Sequence, residues 1–284
     1  KNKKYPIELY YCNNCFTVHH KYQIPKRNLF PKDYHYRSRF TNDVLNGMQN
    51  LVKDVEKKYK SLKNKVVLDI GCNDGSLLDY FKKSGAITIG VEPTNSCAEA
   101  KKKKHNVYNE YFSEQNAHKI KNKFVKIDFI TFTNVFAHIE DLKLLINNLK
   151  ILISNETKLI IENHYLGSVI NKFQFDTFYH EHPRTYSLKS FTFIAKSLGL
   201  QLEKVTFPSR YGGNIRVFLG RQKPNTKIIN NIKSKIKSEK NFRKQLKQFQ
   251  PTIEKWITNT TLKLENIFQE EGLIIAKAFP GRAS

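Results

Sequence analysis

The 284-residue sequence is poor in cysteine, in acidic residues and in long apolar runs, and each shortage excludes a class of protein. Four cysteines are too few for a disulfide scaffold of this length and favour a reducing compartment. No apolar run reaches the roughly 18 residues that a membrane helix needs, and the start carries no recognisable secretory signal. We therefore expect a cytoplasmic protein with no membrane partner.

The shortage of acidic residues leaves a basic chain, with 25 aspartates and glutamates against 49 lysines and arginines and a net charge of +24. Clustered basic residues bind nucleic acid because they release counterions from the phosphate backbone. Here the lysines are spread along the chain, and no RNA-binding module is recognisable. We therefore favour a small anionic substrate over nucleic acid as the partner.

The stretch Lys65–Leu78, KVVLDIGCNDGSLL, organises the chain. Its apolar run, glycine turn and helical periodicity predict the first βα unit of a doubly wound domain, in which ligands bind at the carboxyl end of the strand. Gly71 and Gly75 are spaced neither as in a dinucleotide fingerprint nor as in a phosphate-binding P-loop. Because Asp69 precedes them in place of phosphate-binding donors, the stretch favours a ligand with a cationic or hydroxylic part.

The strand and helix alternation from Lys65 to Glu162 predicts a parallel sheet. The predicted second strand ends at Glu92, where an acid in such folds accepts hydrogen bonds from ribose hydroxyls. An amphipathic helix should precede the sheet, and a lysine-rich helical region should follow it. The remaining predicted elements are helices at 43–60, 95–104 and 227–268, and strands at 108–112, 124–136 and 157–162.

Polar clusters follow the predicted strands. His138 lies on the loop after a central strand, where a histidine is well placed to act as a general base. The segment Phe175–Ser187 holds two histidines, acids and tyrosines, which would be costly to bury without partners and are predicted to line a polar pocket. Its H-E-H run lacks the spacing of H-E-x-x-H, so a zinc hydrolase fits poorly.

The first forty residues contain a C-x-x-C pair, Cys12 and Cys15, which is half of a structural zinc site. His19 and His20 are poor candidates to complete it, because adjacent histidines rarely reach one metal. Zinc binding and two free thiols both remain open. Since the chain begins at Lys1, we expect an upstream segment, with a second cysteine pair, to be missing.

Taken together, the motifs resemble those of the three-domain sugar C-methyltransferases, which act on nucleotide-linked keto-deoxysugars. In chain order they are C-x-x-C, D-Y-x-Y-x-S, D-I-G-C-N-D-G, G-V-E-P, N-V-x-A-H-I-E-D, F-D-x-x-Y-H-E-H and G-G-N-I-R-V. The resemblance implies an α/β fold with a Rossmann-like class I methyltransferase core at 43–165. It also implies a zinc-type module at 1–42 and a substrate-side α/β domain at 166–284 that is truncated within a segment beginning at Ala276.

The resemblance further implies site residues. Those that would contact S-adenosylmethionine are Asp69, Gly71, Asn73, Gly75, Glu92, Pro93 and Asn134. Those assigned to catalysis are His138, Tyr179, Glu181 and His182, and those assigned to substrate binding are Tyr34, Tyr36, His180, Tyr211 and Arg216. The family often has histidine in place of Tyr211, and only Cys12 and Cys15 match its four zinc ligands.

Carbon methylation next to a ketone requires a base and a stabiliser for the enolate. We hypothesise that His138 or His182 is the base and that Arg216 lies near a sugar-nucleotide phosphate. Tyr179 and Glu181 would orient the base or the substrate. The alternatives are oxygen or nitrogen methylation of a sugar or phosphate-linked acceptor in surface polysaccharide synthesis, and, less favoured, a nucleic-acid-binding protein or RNA methyltransferase. We expect a monomer.

Overall fold

Seven strands form the main sheet of the computed structural model, which describes residues 5–275. The ten strands are β1 Leu9–Tyr11, β2 Val18–His20, β3 Val66–Ile70, β4 Ile87–Val91, β5 Asn106–Tyr108, β6 Phe129–Thr133, β7 Lys158–His164, β8 Arg184–Thr185, β9 Gln201–Thr206 and β10 Asn214–Gly220. The predicted family segment at Ala276–Ser284 lies outside the described residues.

Helices cover both faces of this sheet, and the last helices follow its final strand in the chain. They are α1 Lys26–Leu29, α2 Asn42–Tyr59, α3 Ser76–Lys83, α4 Cys97–Lys102, α5 Glu114–Lys123, α6 Leu142–Leu152, α7 Leu166–Asn171, α8 Leu188–Ser197, α9 Thr226–Glu239, α10 Phe242–Lys247 and α11 Phe249–Glu271. Within residues 5–275, no helix is both long and apolar enough to cross a membrane.

The strand order is β5-β4-β3-β6-β7-β10-β9, with the first five strands parallel and β10 antiparallel to both of its neighbours. The predicted parallel α/β sheet is therefore confirmed. Its last two strands lie beyond residue 165, where we placed the end of the core, so the sheet crosses that predicted boundary. The division into three domains stays a prediction.

Apolar periodicity located β3, β4, β6, β7 and α2 correctly. The strand predicted at 108–112 lies at Asn106–Tyr108, and α7, α8 and β9 were not predicted. Helix α2 buries Val44, Met48 and Leu51 against the sheet, as its amphipathic pattern predicts. Helix α5 was not predicted because Ala117 and Ile120 are its only buried apolar residues. A capping box at Ser113, whose hydroxyl accepts from the backbone N–H of Asn116, starts this helix instead.

A second, three-stranded sheet joins the start of the chain to its later half. In this antiparallel sheet β2 lies between β1 and β8, and Val18 pairs with Thr185. Beside it, the hydroxyls of Thr17 and Ser190 are 2.8 Å apart. Because β8 directly follows the H-E-H run, the amino-terminal hairpin supports the loop that carries these polar residues.

Candidate active site

A cavity of about 560 Å³ opens at the carboxyl ends of the parallel strands. This volume lies in the range typical of small-molecule sites. On one side it is lined by the predicted cofactor residues Asp69, Gly71, Asn73, Glu92, Pro93 and Asn134. On the other side it is lined by the predicted catalytic or substrate residues Tyr34, Tyr36, His138, Tyr179, Glu181, His182 and Tyr211. The structure thus brings thirteen of the predicted residues to one cavity, while their individual roles stay predictions.

The glycine loop after β3 approaches the cavity in a conformation that favours glycine. Gly71 has φ +78°, and a Cβ there would lie 2.5 Å from the Val135 side chain. Asn73 also has a positive φ, +49°, and its backbone N–H donates to Glu92 Oε2 at 3.0 Å. The loop is therefore tied to the end of β4.

Glu92 organises both loops of the cofactor side. Its Oε1 accepts from the backbone N–H of Thr94 at 2.9 Å and from the Thr94 hydroxyl at 2.6 Å. A carboxylate has about four acceptor positions, so these bonds and the one from Asn73 still leave capacity for a ligand hydroxyl.

Asp69 lies at the end of β3 and is only 3% exposed. Burial raises the pKa of this carboxyl to about 7, although the Thr131 hydroxyl donates to it at 2.6 Å and opposes the rise. The Glu92 carboxylate nearby also raises the pKa of Asp69.

The cavity lining is acidic although the whole chain is basic. Its acidic members are Asp69, Glu92, Glu140, Asp141 and Glu181. Among the described residues of the lining, Lys26 is the single lysine or arginine. Such a set of acceptors and negative charges fits the ribose hydroxyls and the sulfonium of S-adenosylmethionine, and it does not fit a dinucleotide held by its phosphates.

The amino-terminal segment lies across the glycine loop. The Asn73 side chain donates to the carbonyl of Tyr36 at 3.1 Å and accepts from the backbone N–H of Ser38 at 3.0 Å. The backbone N–H of Arg39 donates to Asp74 Oδ2 at 3.0 Å. These bonds hold the predicted substrate residue Tyr36 next to the predicted cofactor loop.

His138 follows β6 in a short 3-10 turn, and its Nδ1 lies 2.5 Å from the carbonyl oxygen of Glu181. A carbonyl can only accept, so Nδ1 carries the hydrogen and Nε2 carries the lone pair. Burial lowers the pKa of His138 below its ordinary value of 6.5, and the backbone carbonyls of Glu181 and Asn134 oppose this only in part. His138 is therefore a neutral imidazole near pH 7, as a general base must be.

His182 is buried beside His138, with their ring centroids 4.9 Å apart. Its Nδ1 donates to the carbonyl of Thr177 at 3.1 Å, and its Nε2 lies 3.4 Å from the Tyr179 hydroxyl. In the neutral imidazole this Nε2 carries the lone pair. The Tyr179 hydroxyl is also 3.4 Å from Glu181 Oε2. The H-E-H loop thus presents a second candidate base to the cavity.

His164 was missed from the sequence and lines the same cavity. Its ring centroid is 5.1 Å from that of His182 and 5.5 Å from that of Tyr211. His164 therefore links the H-E-H loop to the turn that carries Tyr211. The available signal was its place at the carboxyl end of a parallel strand, because β7 extends to residue 164 instead of ending at the predicted Glu162.

Arg216 is not among the residues that line the cavity, contrary to its predicted place near a substrate phosphate. It is 3% exposed, and its guanidinium donates to Glu162 Oε2 and Asp54 Oδ2, each at 2.6 Å. Glu162, which is fully buried, also accepts from Asn214 at 2.9 Å. Arg216 therefore links β10, β7 and α2 within the protein.

Gly75 and His180 are likewise absent from the lining. Gly75 starts α3 with φ +79°, and a Cβ there would lie 2.8 Å from the Ala100 Cβ, so packing explains the glycine. The His180 ring points toward the amino-terminal hairpin, where its Nε2 is 3.0 Å from the Tyr5 carbonyl oxygen. The predicted ligand contacts of both residues are not supported by these positions.

Cys12 and Cys15 are free thiols in a tight turn that begins after β1. The backbone N–H of Cys15, with smaller contributions from the backbone N–H of Asn14 and the Cys15 side chain, lowers the pKa of Cys12, and burial opposes this. Within residues 5–275, no group of three or more histidine, cysteine or acidic side chains could hold a metal ion. Two thiols alone do not make a structural zinc site, so the predicted zinc is not supported.

A family model described as a methyltransferase domain matches residues 43–205. The chain belongs to this family. It is therefore an enzyme, and its mixed seven-stranded sheet is the Rossmann-like fold of class I methyltransferases, as predicted. The match runs across the predicted boundary at residue 165, as the sheet does.

One relative of this methyltransferase is the C-methyltransferase NovU of Streptomyces niveus, which is 25% identical over 215 residues. The alignment covers 75% of the present chain and 51% of the relative, so the chain spans about half the length of the curated relative it matches. The relative's full activity does not follow for this chain from that partial match.

Two solved structures show the same fold. The 1,6-didemethyltoxoflavin-N1-methyltransferase of Burkholderia thailandensis superposes with a TM-score of 0.54 at 12% identity, covering 76% of the methyltransferase and 100% of that chain. The magnesium protoporphyrin IX methyltransferase of Synechocystis PCC 6803 superposes with a TM-score of 0.50 at 16% identity. This superposition covers 63% of the present chain and 84% of that chain. At these identities the likeness extends to the fold alone.

Proposed function

We propose that this methyltransferase transfers a methyl group from S-adenosylmethionine to a carbon next to the ketone of a nucleotide-linked keto-deoxysugar. The observation that carries the proposal is the pair His138 and His182, two imidazoles with ring centroids 4.9 Å apart in the cavity that also contains the glycine loop. Carbon methylation needs a base beside the methyl donor, because the carbon next to the ketone must lose a proton before it can attack the methyl group. The partial similarity to a C-methyltransferase supports the same reaction.

The cofactor side fits S-adenosylmethionine. When bound, this cofactor supplies an electrophilic methyl group on a sulfonium sulfur. Glu92 has acceptor capacity for the ribose hydroxyls, and the acidic lining favours the positive charge. Asn134, held in a positive φ by the bond from its N–H to the Glu162 carbonyl at 2.8 Å, lies where the two sides of the cavity meet.

On the acceptor side, the Nε2 of His138 or His182 removes the proton from the carbon next to the ketone. The electrons of the C–H bond form a C=C bond, and the carbonyl π electrons move to oxygen to give an enolate. The C=C electron pair of the enolate would then form the bond to the methyl carbon while the C=O bond re-forms, and the electron pair of the C–S bond would remain on sulfur. Glu181 fixes the tautomer of His138 through its carbonyl, and Tyr179 contacts His182, so both are positioning residues for the bases.

The negative charge of a nucleotide would not be favoured deep in this acidic cavity. Lys26 is half-buried at the lining, and its Nζ lies 4.6 Å from the centroid of the Tyr111 ring, a cation–π contact. We therefore place the diphosphate toward Lys26, in the role first assigned to Arg216.

The test is incubation with S-adenosylmethionine labelled with ¹³C on the methyl group and a panel of thymidine- and cytidine-diphosphate keto-deoxysugars. We expect one sugar to gain a labelled C–CH₃ carbon in the NMR spectrum, with fragmentation placing the mass on the sugar ring. A labelled O–CH₃ or N–CH₃ signal would replace the carbon reaction by the alternative. Methylation of RNA with no sugar product would overturn the proposal.

A further inference from the structure

We propose that Tyr36 and Tyr211 form the hydrogen-bond donor pair that receives the enolate oxygen of the acceptor, and that Arg210 is the positioning residue behind them. This inference rests on the proposed carbon methylation. An enolate requires a stabilising group as well as a base, and donors fixed before the reaction are worth most where water is excluded.

The two tyrosines come from distant parts of the chain and meet in the cavity. The Tyr36 side chain is 40% exposed at the cavity mouth, and partial burial, followed by the neighbouring Tyr211 side chain, raises the pKa of Tyr36 above its ordinary value. A phenol with a raised pKa stays protonated and can donate. Tyr211 has φ +51°, a conformation that is costly for a bulky residue and is often found at functional sites.

The position of Tyr211 relative to the bases suits this role. The ring centroids of His182, His164 and Tyr211 follow one another at 5.1 Å and 5.5 Å along the cavity. The candidate base therefore lies at one end of this row and Tyr211 at the other, with the His164 ring between them. A ketone lying against the His164 ring would present its acidic carbon to the His182 imidazole and its oxygen to the Tyr211 hydroxyl.

Arg210 places a cation directly behind the phenol pair. Its Cζ lies 5.1 Å from the centroid of the Tyr211 ring, and the side chain is only 8% exposed. Its carboxylate contacts are long, 3.6 Å from Nε to Asp43 and 3.5 Å from Nη1 to Glu162. Within residues 5–275, its Nε and Nη2 atoms have no hydrogen-bond partner, so its charge is incompletely neutralised.

Gly47 on α2 provides the space for this guanidinium. A Cβ at Gly47 would lie 1.9 Å from Nη1 and 2.4 Å from Cζ of Arg210. Gly47→Ala would therefore displace the guanidinium without removing its charge, while improving the helix propensity of α2. This variant therefore tests whether the position of the guanidinium matters while its charge is retained.

The test measures proton abstraction without methyl transfer. The protein, S-adenosylhomocysteine and the accepted keto-deoxysugar are mixed in D₂O, and ¹H NMR follows loss of the signal next to the ketone, with a protein-free sample for background. The variants are Tyr211→Phe, Arg210→Gln, Arg210→Lys and Gly47→Ala. Circular dichroism checks the folding of each variant.

At saturating sugar, we expect Tyr211→Phe to slow exchange by about 10²-fold, as for loss of one oxyanion donor. Arg210→Gln and Gly47→Ala should slow exchange less, by about tenfold, and Arg210→Lys should recover part of it. The sugar concentration at half-maximal rate should change less than twofold, because the negative charge develops only in the transition state.

Exchange by Tyr211→Phe at the unaltered rate would overturn the donor assignment while leaving carbon methylation in place. If Tyr211→Phe does not fold, unaltered exchange by a folded Gly47→Ala would overturn the placement of Arg210. Absence of exchange in the unaltered protein, for every sugar of the panel, would overturn both this inference and the proposed function.

Discussion

The two sides of the cavity are built differently. On the cofactor side, contacts join neighbouring loops, as between Asn73 and Glu92, which are 19 positions apart. On the acceptor side, they join distant segments, as between Tyr34 and Glu181, which are 147 positions apart and approach to 3.5 Å. The cofactor side therefore follows from local strand and loop order, whereas the acceptor side depends on how the whole chain packs.

The largest expected effect comes from a substitution that impairs the acceptor side and leaves the cofactor side intact. His182→Ala should lower kcat by about 10²- to 10⁴-fold if His182 is the base, while the affinity for S-adenosylmethionine measured by calorimetry stays within threefold. His180→Ala is the matched control, since His180 lies outside the lining. Because His138 is the other candidate base, His138→Ala is measured alongside. Full turnover by both cavity variants would exclude His138 and His182 as the base.

The next effect concerns the buried ion pairs of Arg216, which lie outside the cavity lining. Arg216→Ala should lower the free energy of unfolding by about 3–5 kcal/mol, because it leaves the buried Glu162 short of its charged partner. Lys204→Ala removes the other, partly exposed partner of Asp54 and should cost at most about 1 kcal/mol. Urea denaturation measures both. A rise in acceptor KM with unchanged stability would instead restore a substrate role for Arg216.

A smaller effect isolates the cofactor side. Glu92→Gln should weaken S-adenosylmethionine binding by about 10- to 100-fold, because the charged hydrogen bonds to the loops and to the ribose are each worth roughly 1.5–3 kcal/mol. Calorimetry gives the dissociation constant. Exchange of the acceptor proton should be affected less than this binding, and an equal loss of both would contradict the separation of the two sides.

The smallest effect is a pH dependence of stability. The pKa of Asp69 is about 7 in the folded protein and 3.8 ordinarily, so the folded state binds this proton more tightly. The corresponding stability is present below pH 3.8 and is lost as the pH rises to about 7. Asp69→Asn should therefore stabilise the protein by about 1–3 kcal/mol at pH 8 and much less near pH 4. Equal unfolding curves at pH 8 would contradict the raised pKa.

The sequence allowed the sheet, helix α2 and the loop around Gly71 to be predicted, because periodicity and spacing are local signals. It placed Tyr179 and His182 correctly in a polar pocket, because burying so many polar groups elsewhere would be costly. Arg216 was misplaced, because an arginine on a strand has the same pattern whether it faces a ligand or pairs internally with Glu162. His164 was missed because the end of a strand is poorly defined by pattern alone.

The hairpin that pairs with β8 has a consequence for the order of folding. Thr17 and Ser190, which meet at 2.8 Å, are 173 positions apart. At synthesis rates of about 5–20 residues per second, the hairpin waits roughly ten seconds or longer before its partner strand leaves the ribosome. The glycine loop and Glu92 need no such wait. A nascent chain would thus complete the pocket for the methyl donor before the walls that hold the acceptor exist.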